Sequence, residues 1–182
     1  MQFKTGDSVV YMKVGTHAQE DLGTIIARKR DEIAREGFAM WGYGGNTCHP
    51  TSMVQPFARA ANGPIVLCMQ PMQSRHRAEP LRAEEFSVDG LRWEPIPNGI
   101  NVLGSRYALC ISSLEEVSQT MELADTRVAI GNSRGRAGDK YVHGRVDKAC
   151  LEIVGSHTVG SRIVPIGVIA EIVDPYAVLL RS

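Results

Sequence analysis

From Thr126 to its C-terminus the chain carries strand-length apolar runs without helical periodicity, whereas every helix signal lies earlier. The runs fall at residues 127–130, 141–146, 149–154, 163–173 and 176–180, with a turn at Asp174-Pro175 between the last two. A regular βαβ array would alternate the two patterns along the whole chain. Their segregation predicts an α+β fold: a mixed or antiparallel sheet, two to three helices, and a β-rich C-terminal third. At 182 residues the chain fits one globular domain, 1–182. A domain of that size buries roughly 70% of the surface its unfolded form exposes, so it folds without disulfides or a structural metal.

The earlier part reads as alternating elements. Residues 8–14 form a first strand. Thr16 and Gln19 have the spacing of a capping box, and Leu22, Ile25, Ile26 and Ile33 follow at helical spacing, predicting a helix over 18–36. Asp31 and Arg35 stand i,i+4 on its polar side, and Gly37 is placed to end it. A short strand is expected at 38–43, a helix at 55–61 with Pro56 in its first turn, a buried strand at 64–69 and a polar loop over 70–85. Asp89-Gly90 between two apolar runs predicts a hairpin. A strand at 105–111 precedes a second S-x-x-E box, Ser113 to Glu116, which with Leu114, Val117 and Met121 predicts another helix.

Charge narrows the partners. Lys plus Arg and Asp plus Glu number 20 each, so the formal net charge is zero. Binders of long nucleic acids depend on neutralising phosphates and carry a basic excess, so such a partner is not expected. Cys48, Cys68, Cys110 and Cys150 are far apart, with no C-x-x-C pair, which suits free thiols in a reducing compartment. The N-terminus lacks the apolar core of a signal peptide, and no apolar run approaches the ~20 residues that span a bilayer. A cytoplasmic location without membrane contact is the expectation.

Two segments concentrate chemistry. Residues 41–50 hold two aromatics, three glycines, a thiol and an imidazole. Glycines allow sharp turns and close approach of the backbone to a ligand. Trp41 and Tyr43 offer flat faces for a planar group, worth about 1–3 kcal/mol per stacked base in nucleic-acid systems, with Asn46 and His49 as polar neighbours. The alternative is a structural turn whose aromatics plug the core. Residues 131–145 hold four glycines, three arginines, a lysine and a histidine against one acid, Asp139. Their amides can form an anion nest, and Arg134, Arg136, Lys140 and Arg145 can add charge-assisted bonds to phosphate or carboxylate, with His49 or His143 assisting. The segment is neither a P-loop nor a Rossmann fingerprint, and its alternative is a solvated hairpin loop.

Catalytic signals are thin. Cys48 with His143 and Asp139 or Asp147 has the composition of a cysteine-nucleophile site, but no family motif supports it, and a packed small residue is the simpler reading. His49 is the other catalytic candidate. The five histidines show no H-x-x-x-H spacing, and no cofactor or metal is expected. The adjacent acids Glu84-Glu85 and Glu115-Glu116 do not face each other. Arg75-His76-Arg77 reads as solvated charge. The leading expectation is a binding protein for a nucleotide-like or other small anionic ligand, sensing or sequestering it, a phage-type sponge for a signalling nucleotide being one form. The alternatives are a hydrolase or transferase acting on such a ligand, and a homo-oligomeric or partner-binding protein whose apolar C-terminal strands pair at an edge.

Overall fold

A computed structural model describes residues 2–74, 77–155 and 161–182. The fold is α+β, with three helices and a ten-stranded mixed sheet. The strands are β1 (Ser8–Val14), β2 (Ala39–Tyr43), β3 (Ile65–Pro71), β4 (Glu85–Ser87), β5 (Glu94–Pro95), β6 (Tyr107–Ile111), β7 (Glu115–Glu122), β8 (Thr126–Val128), β9 (Lys148–Ile153) and β10 (Ile163–Arg181). The helices are α1 (Leu22–Glu36), α2 (Gln55–Ala60) and α3 (Gly138–Tyr141). The main strand order is β2-β6-β10-β3-β1-β9-β8, with β4 and β7 also on β10. Among the described residues β1 and β3 make the parallel pair, and the other pairings are antiparallel.

The last two expected strands are one. β10 runs continuously and pairs in turn with β7, β3, β6 and β4. Its pairing with β6 shifts register between Ile172 and Ala177, where Asp174-Pro175 is cis and Tyr176 has φ 69°. The expected turn is therefore a bulge, which bends a strand without reversing it. Val168, Ile169 and Ile172 pair on both sides, so the middle of β10 lies inside the sheet.

Strand alternation divides the core. Val10, Met12, Trp41, Tyr43, Leu67, Met69, Leu109 and Ile111 face α1 and α2, where Ile25, Ile26 and Phe57 complete one cluster. Val9, Tyr11, Cys68 and Leu151 face the other way, against Met121, Leu123 and Ile166. A third cluster, around Met40, Ile100, Val102 and Val178, lies under the 96–102 loop.

Several expectations change. The N-cap of α1 is Asp21, whose carboxylate accepts from the Thr24 amide at 2.9 Å. The Thr16–Gln19 box is absent because His17 and Glu20 exchange two backbone bonds of 2.9 Å, with Ala18 and Gln19 in left-handed conformation (φ 48° and 66°). That closed turn cannot continue as a helix. Gly37 does end α1, at φ 80°, its N–H reaching the Ile33 carbonyl at 2.9 Å. Arg35 reaches the Gly99 carbonyl rather than Asp31.

The helix expected after Ser113 is a strand, β7. Ser113 Oγ accepts from the Glu171 amide of β10 at 3.0 Å, so it caps nothing, and β10 supplies the ladder for the residues that follow. Residues 141–146 are not a strand either. The single turn of α3 runs into them at Tyr141, with Gly138 so close to Leu123 that an added Cβ would lie 2.8 Å from its carbonyl oxygen. The Asp89-Gly90 hairpin forms, as β4 and β5, but with a wider turn than two residues, because Asp89 Oδ1 accepts from the Leu91 and Arg92 amides at 2.7 and 2.9 Å. Among the described residues no helix is long and apolar enough to cross a membrane.

Candidate functional site

A cavity of about 550 Å³ opens between the end of β1, the end of β2, the start of α1 and the 101–106 segment. Its volume falls in the range of small-ligand pockets. Met12, Val14, Ile25, Trp41 and Tyr43 give it an apolar floor. The floor follows from strand period: Met12 shares the helix-facing side of β1 with Val10, while Val9 and Tyr11 take the other. Directly across from Met12 on β9 stands Lys148, in phase with Cys150, which belongs to the same helix-facing cluster. The Lys148 side chain is only 5% exposed and bonds Asp147 Oδ1 at 2.6 Å, while Asp147 is 50% exposed. Its ammonium stands 6.0 Å from the centre of the Tyr43 ring.

The facing wall comes from an unusual stripe on α1. Lys29 and Glu32 are almost wholly buried and paired at 2.8 Å. Both also grip residue 101: Lys29 Nζ donates to the Asn101 carbonyl at 2.6 Å, and the Asn101 amide donates to Glu32 Oε1 at 3.0 Å. Arg28 donates to the same carbonyl at 2.6 Å and pairs with Glu20. Burial pulls the Lys29 ammonium down to about 8, with Glu32 pulling it partly back. These bonds fix the loop that carries Val102, Leu103 and Gly104 along the cavity.

The remaining wall is tightly packed. A Cβ on Gly42 would meet Val102 Cγ1 at 2.8 Å as well as Ser105. His17 Nε2 lies 3.1 Å from Ser105 Oγ and 3.2 Å from the Leu103 carbonyl. The Met72 amide donates to the Val14 carbonyl at 2.7 Å, and Ser74 Oγ donates to the Thr16 carbonyl at 2.9 Å, laying residues 72–74 across Gly15.

The structure brings part of the expected site together. Trp41 and Tyr43 border the cavity, but at 4% and 3% exposure they form a packed floor and present no open face for stacking. Tyr43 Oη donates to the Cys48 carbonyl at 2.6 Å, and burial pushes its phenol well above the ordinary range. Asn46 is exposed in the turn that follows. His49 meets the Tyr107 ring edge-on at 5.2 Å, with Thr51 Oγ1 3.3 Å from Nδ1.

Cys48 is fully buried with Sγ 3.8 Å from Cys150 Sγ, so its neighbour is another thiol rather than an imidazole. Reactive cysteines are typically partly exposed beside positive charge, which this geometry does not provide. His143, Arg134, Arg136, Lys140 and Arg145 are exposed, and none lines the cavity. Their segment instead begins beside the π-helical turn Pro50–Val54, where a Cβ on Gly131 would stand 3.4 Å from Met53 Cε. Asp139 is tied to Lys140 at 3.1 Å, whereas Asp147 does line the cavity.

Sequence reasoning passed over Lys148, Lys29, Arg28 and Glu20. The period-two phase shared with Cys150 was the signal for Lys148. For Lys29 the signal was its i,i+4 spacing from Ile25, a core position. Arg75, His76 and His157 lie outside the described residues. Among the described residues no cluster of three or more His, Cys, Asp or Glu side chains is arranged to hold a metal ion. The chain matches no protein-family model, no curated protein sequence and no solved structure.

Proposed function

We propose that this protein binds a small anionic, nucleotide-like ligand in the cavity beside Lys148 and acts by sensing or sequestering it. The observation that carries the reading is the buried Lys148 ammonium. Burying a charge is costly unless it is paired and hydrogen-bonded. An ammonium has three donors, and among the described residues Lys148 spends them on one acceptor, Asp147. An anionic group entering the cavity gives the remaining donors a partner. The apolar floor of Met12, Ile25 and Trp41 suits the uncharged body of such a ligand. The four free, buried cysteines suit a reducing, cytoplasmic setting.

The test is a thermal-shift panel of mono-, di- and cyclic nucleotides, with each ligand recovered after denaturation and weighed by mass spectrometry. Linkage raises the melting temperature by an amount set by RT ln(1 + [L]/Kd). The expected result is a shift with intact ligand. Recovery of altered ligand would replace the binding protein by a hydrolase or transferase. No shift across the panel would refute the reading.

A further inference from the structure

The turn that leaves β2 has a property that the cavity floor does not explain. Gly44 is followed by Gly45 in the left-handed region, at φ 90°. The amides of Gly44, Gly45 and Asn46 donate to no acceptor among the described residues. Successive N–H groups in such turns form concave anion seats. A Cβ on Gly45 would stand 3.2 Å from Lys148 Nζ, so a buried ammonium with unspent donors lies against this turn. Gly44, Gly45 and Lys148 all line the cavity.

We propose that the Gly44–Asn46 turn and Lys148 together seat a tetrahedral oxyanion, the phosphate monoester of the bound ligand. This rests on the ligand reading above and specifies its chemistry. Main-chain amides and an ammonium reaching in from β9 supply donors to several oxygens of a tetrahedral group. A planar carboxylate, with two oxygens in one plane, uses fewer of them. The cations of the α1 wall are not part of the seat. Arg28 and Lys29 are already engaged by Glu20, Glu32 and the Asn101 carbonyl. The rest of the ligand extends over Met12, Ile25 and Trp41.

The experiment titrates the full chain with inorganic phosphate, acetate, adenosine 5′-monophosphate, adenosine 5′-triphosphate and adenosine, read by thermal shift and by ³¹P line broadening for the phosphates. Phosphate is expected to bind and acetate not to, with the monophosphate tighter than the nucleoside. Lys148→Met keeps the stem and removes the ammonium. It should weaken phosphate at least about tenfold, the scale of a lost charge-assisted hydrogen bond. Asp147→Asn removes the competing carboxylate and should tighten phosphate, an opposite sign that misfolding cannot mimic. Arg136→Glu should leave phosphate binding unchanged.

Equal binding of acetate, or phosphate binding that survives Lys148→Met or is lost in Arg136→Glu, would overturn the seat. If adenosine or another nucleoside bound while phosphate did not, the seat would fall and the cavity reading would stand. If nothing in either panel bound, both would fall.

Discussion

The buried pair on α1 makes a prediction whose size depends on pH. Replacing Lys29 by Met keeps most of the side-chain volume and removes the ammonium. Glu32, 1% exposed, then keeps the Asn101 amide at 3.0 Å but loses its cation at 2.8 Å, and the nearest guanidinium nitrogen of Arg28 is 3.9 Å away. The folded variant must bury the carboxylate as an anion or protonate it. A carboxyl of ordinary pKa, about 4.3, costs about 3.7 kcal/mol to hold protonated at pH 7 but only about 1 kcal/mol at pH 5. The first figure agrees with the ~3–5 kcal/mol lost when one partner of a buried pair is removed. The sign follows from proton counting. If the folded variant holds the proton and the unfolded chain does not, stability falls as pH rises above the unfolded pKa and recovers as pH drops below it. Urea denaturation at pH 5 and pH 7 measures the difference. The double variant Lys29→Met/Glu32→Leu should recover most of the loss, because replacing a whole buried pair by apolar groups is often neutral. A loss below about 1 kcal/mol at pH 7, or a loss of equal size at both pH values, would refute the argument.

Two further outcomes follow from the packing. Gly42→Ala places a methyl against Val102 Cγ1 at 2.8 Å and against Ser105, so it should cost about 1–3 kcal/mol in denaturant unfolding, the usual penalty for overpacking. All four thiols should react with a disulfide reagent no faster than the chain opens, since each is buried; burial pushes Cys110 up to about 12 and Cys68 well above the ordinary thiol range, and the hydrogen bond to Cys48, together with burial, raises Cys150. Rapid modification of Cys48 in the native state would contradict this and revive a nucleophilic role for it.

The elements legible in the sequence are those whose signal is local. β1 matches its expected span, and Gly37 ends α1 because only a residue tolerant of φ 80° closes that turn easily. Ser113-x-x-Glu116 misled because a capping box is a local pattern, whereas β7 is made by distant pairing with β10. Residues 117, 119 and 121 turn inward together at strand period, and the spacing of Leu114, Val117 and Met121 fitted a helix equally well. The joining of two expected strands into β10 was hidden by Asp174-Pro175, which looks like a turn wherever a bulge is not anticipated. At the site, the aromatic and glycine residues of 41–50 were visible as a cluster. The charged partners were not, since Arg28, Lys29 and Lys148 meet the cavity through the α1 and β9 faces, and sequence proximity pointed to the exposed 131–145 arginines instead.

On the proposed reading, the ion pairs Lys29–Glu32, Arg28–Glu20 and Lys148–Asp147 differ in what the acid can do when an anion arrives. Glu32 has nowhere to go: it and Lys29 are 1% and 3% exposed, and Glu32 also holds the Asn101 amide. Arg28 and Glu20 are 21% and 22% exposed, and Arg28 is anchored besides on the Asn101 carbonyl. Asp147 is 50% exposed while Lys148 is 5% exposed, so its carboxylate can turn to water at little cost while the ammonium stays behind in the wall. Exchange of an acid for a ligand anion is therefore cheapest at Lys148. On the proposed reading, a ligand that covers the ammonium and spends its other donors adds charge-assisted bonds. On the proposed reading, a small anion is recognised through Lys148, a buried cation whose partner Asp147 is half exposed.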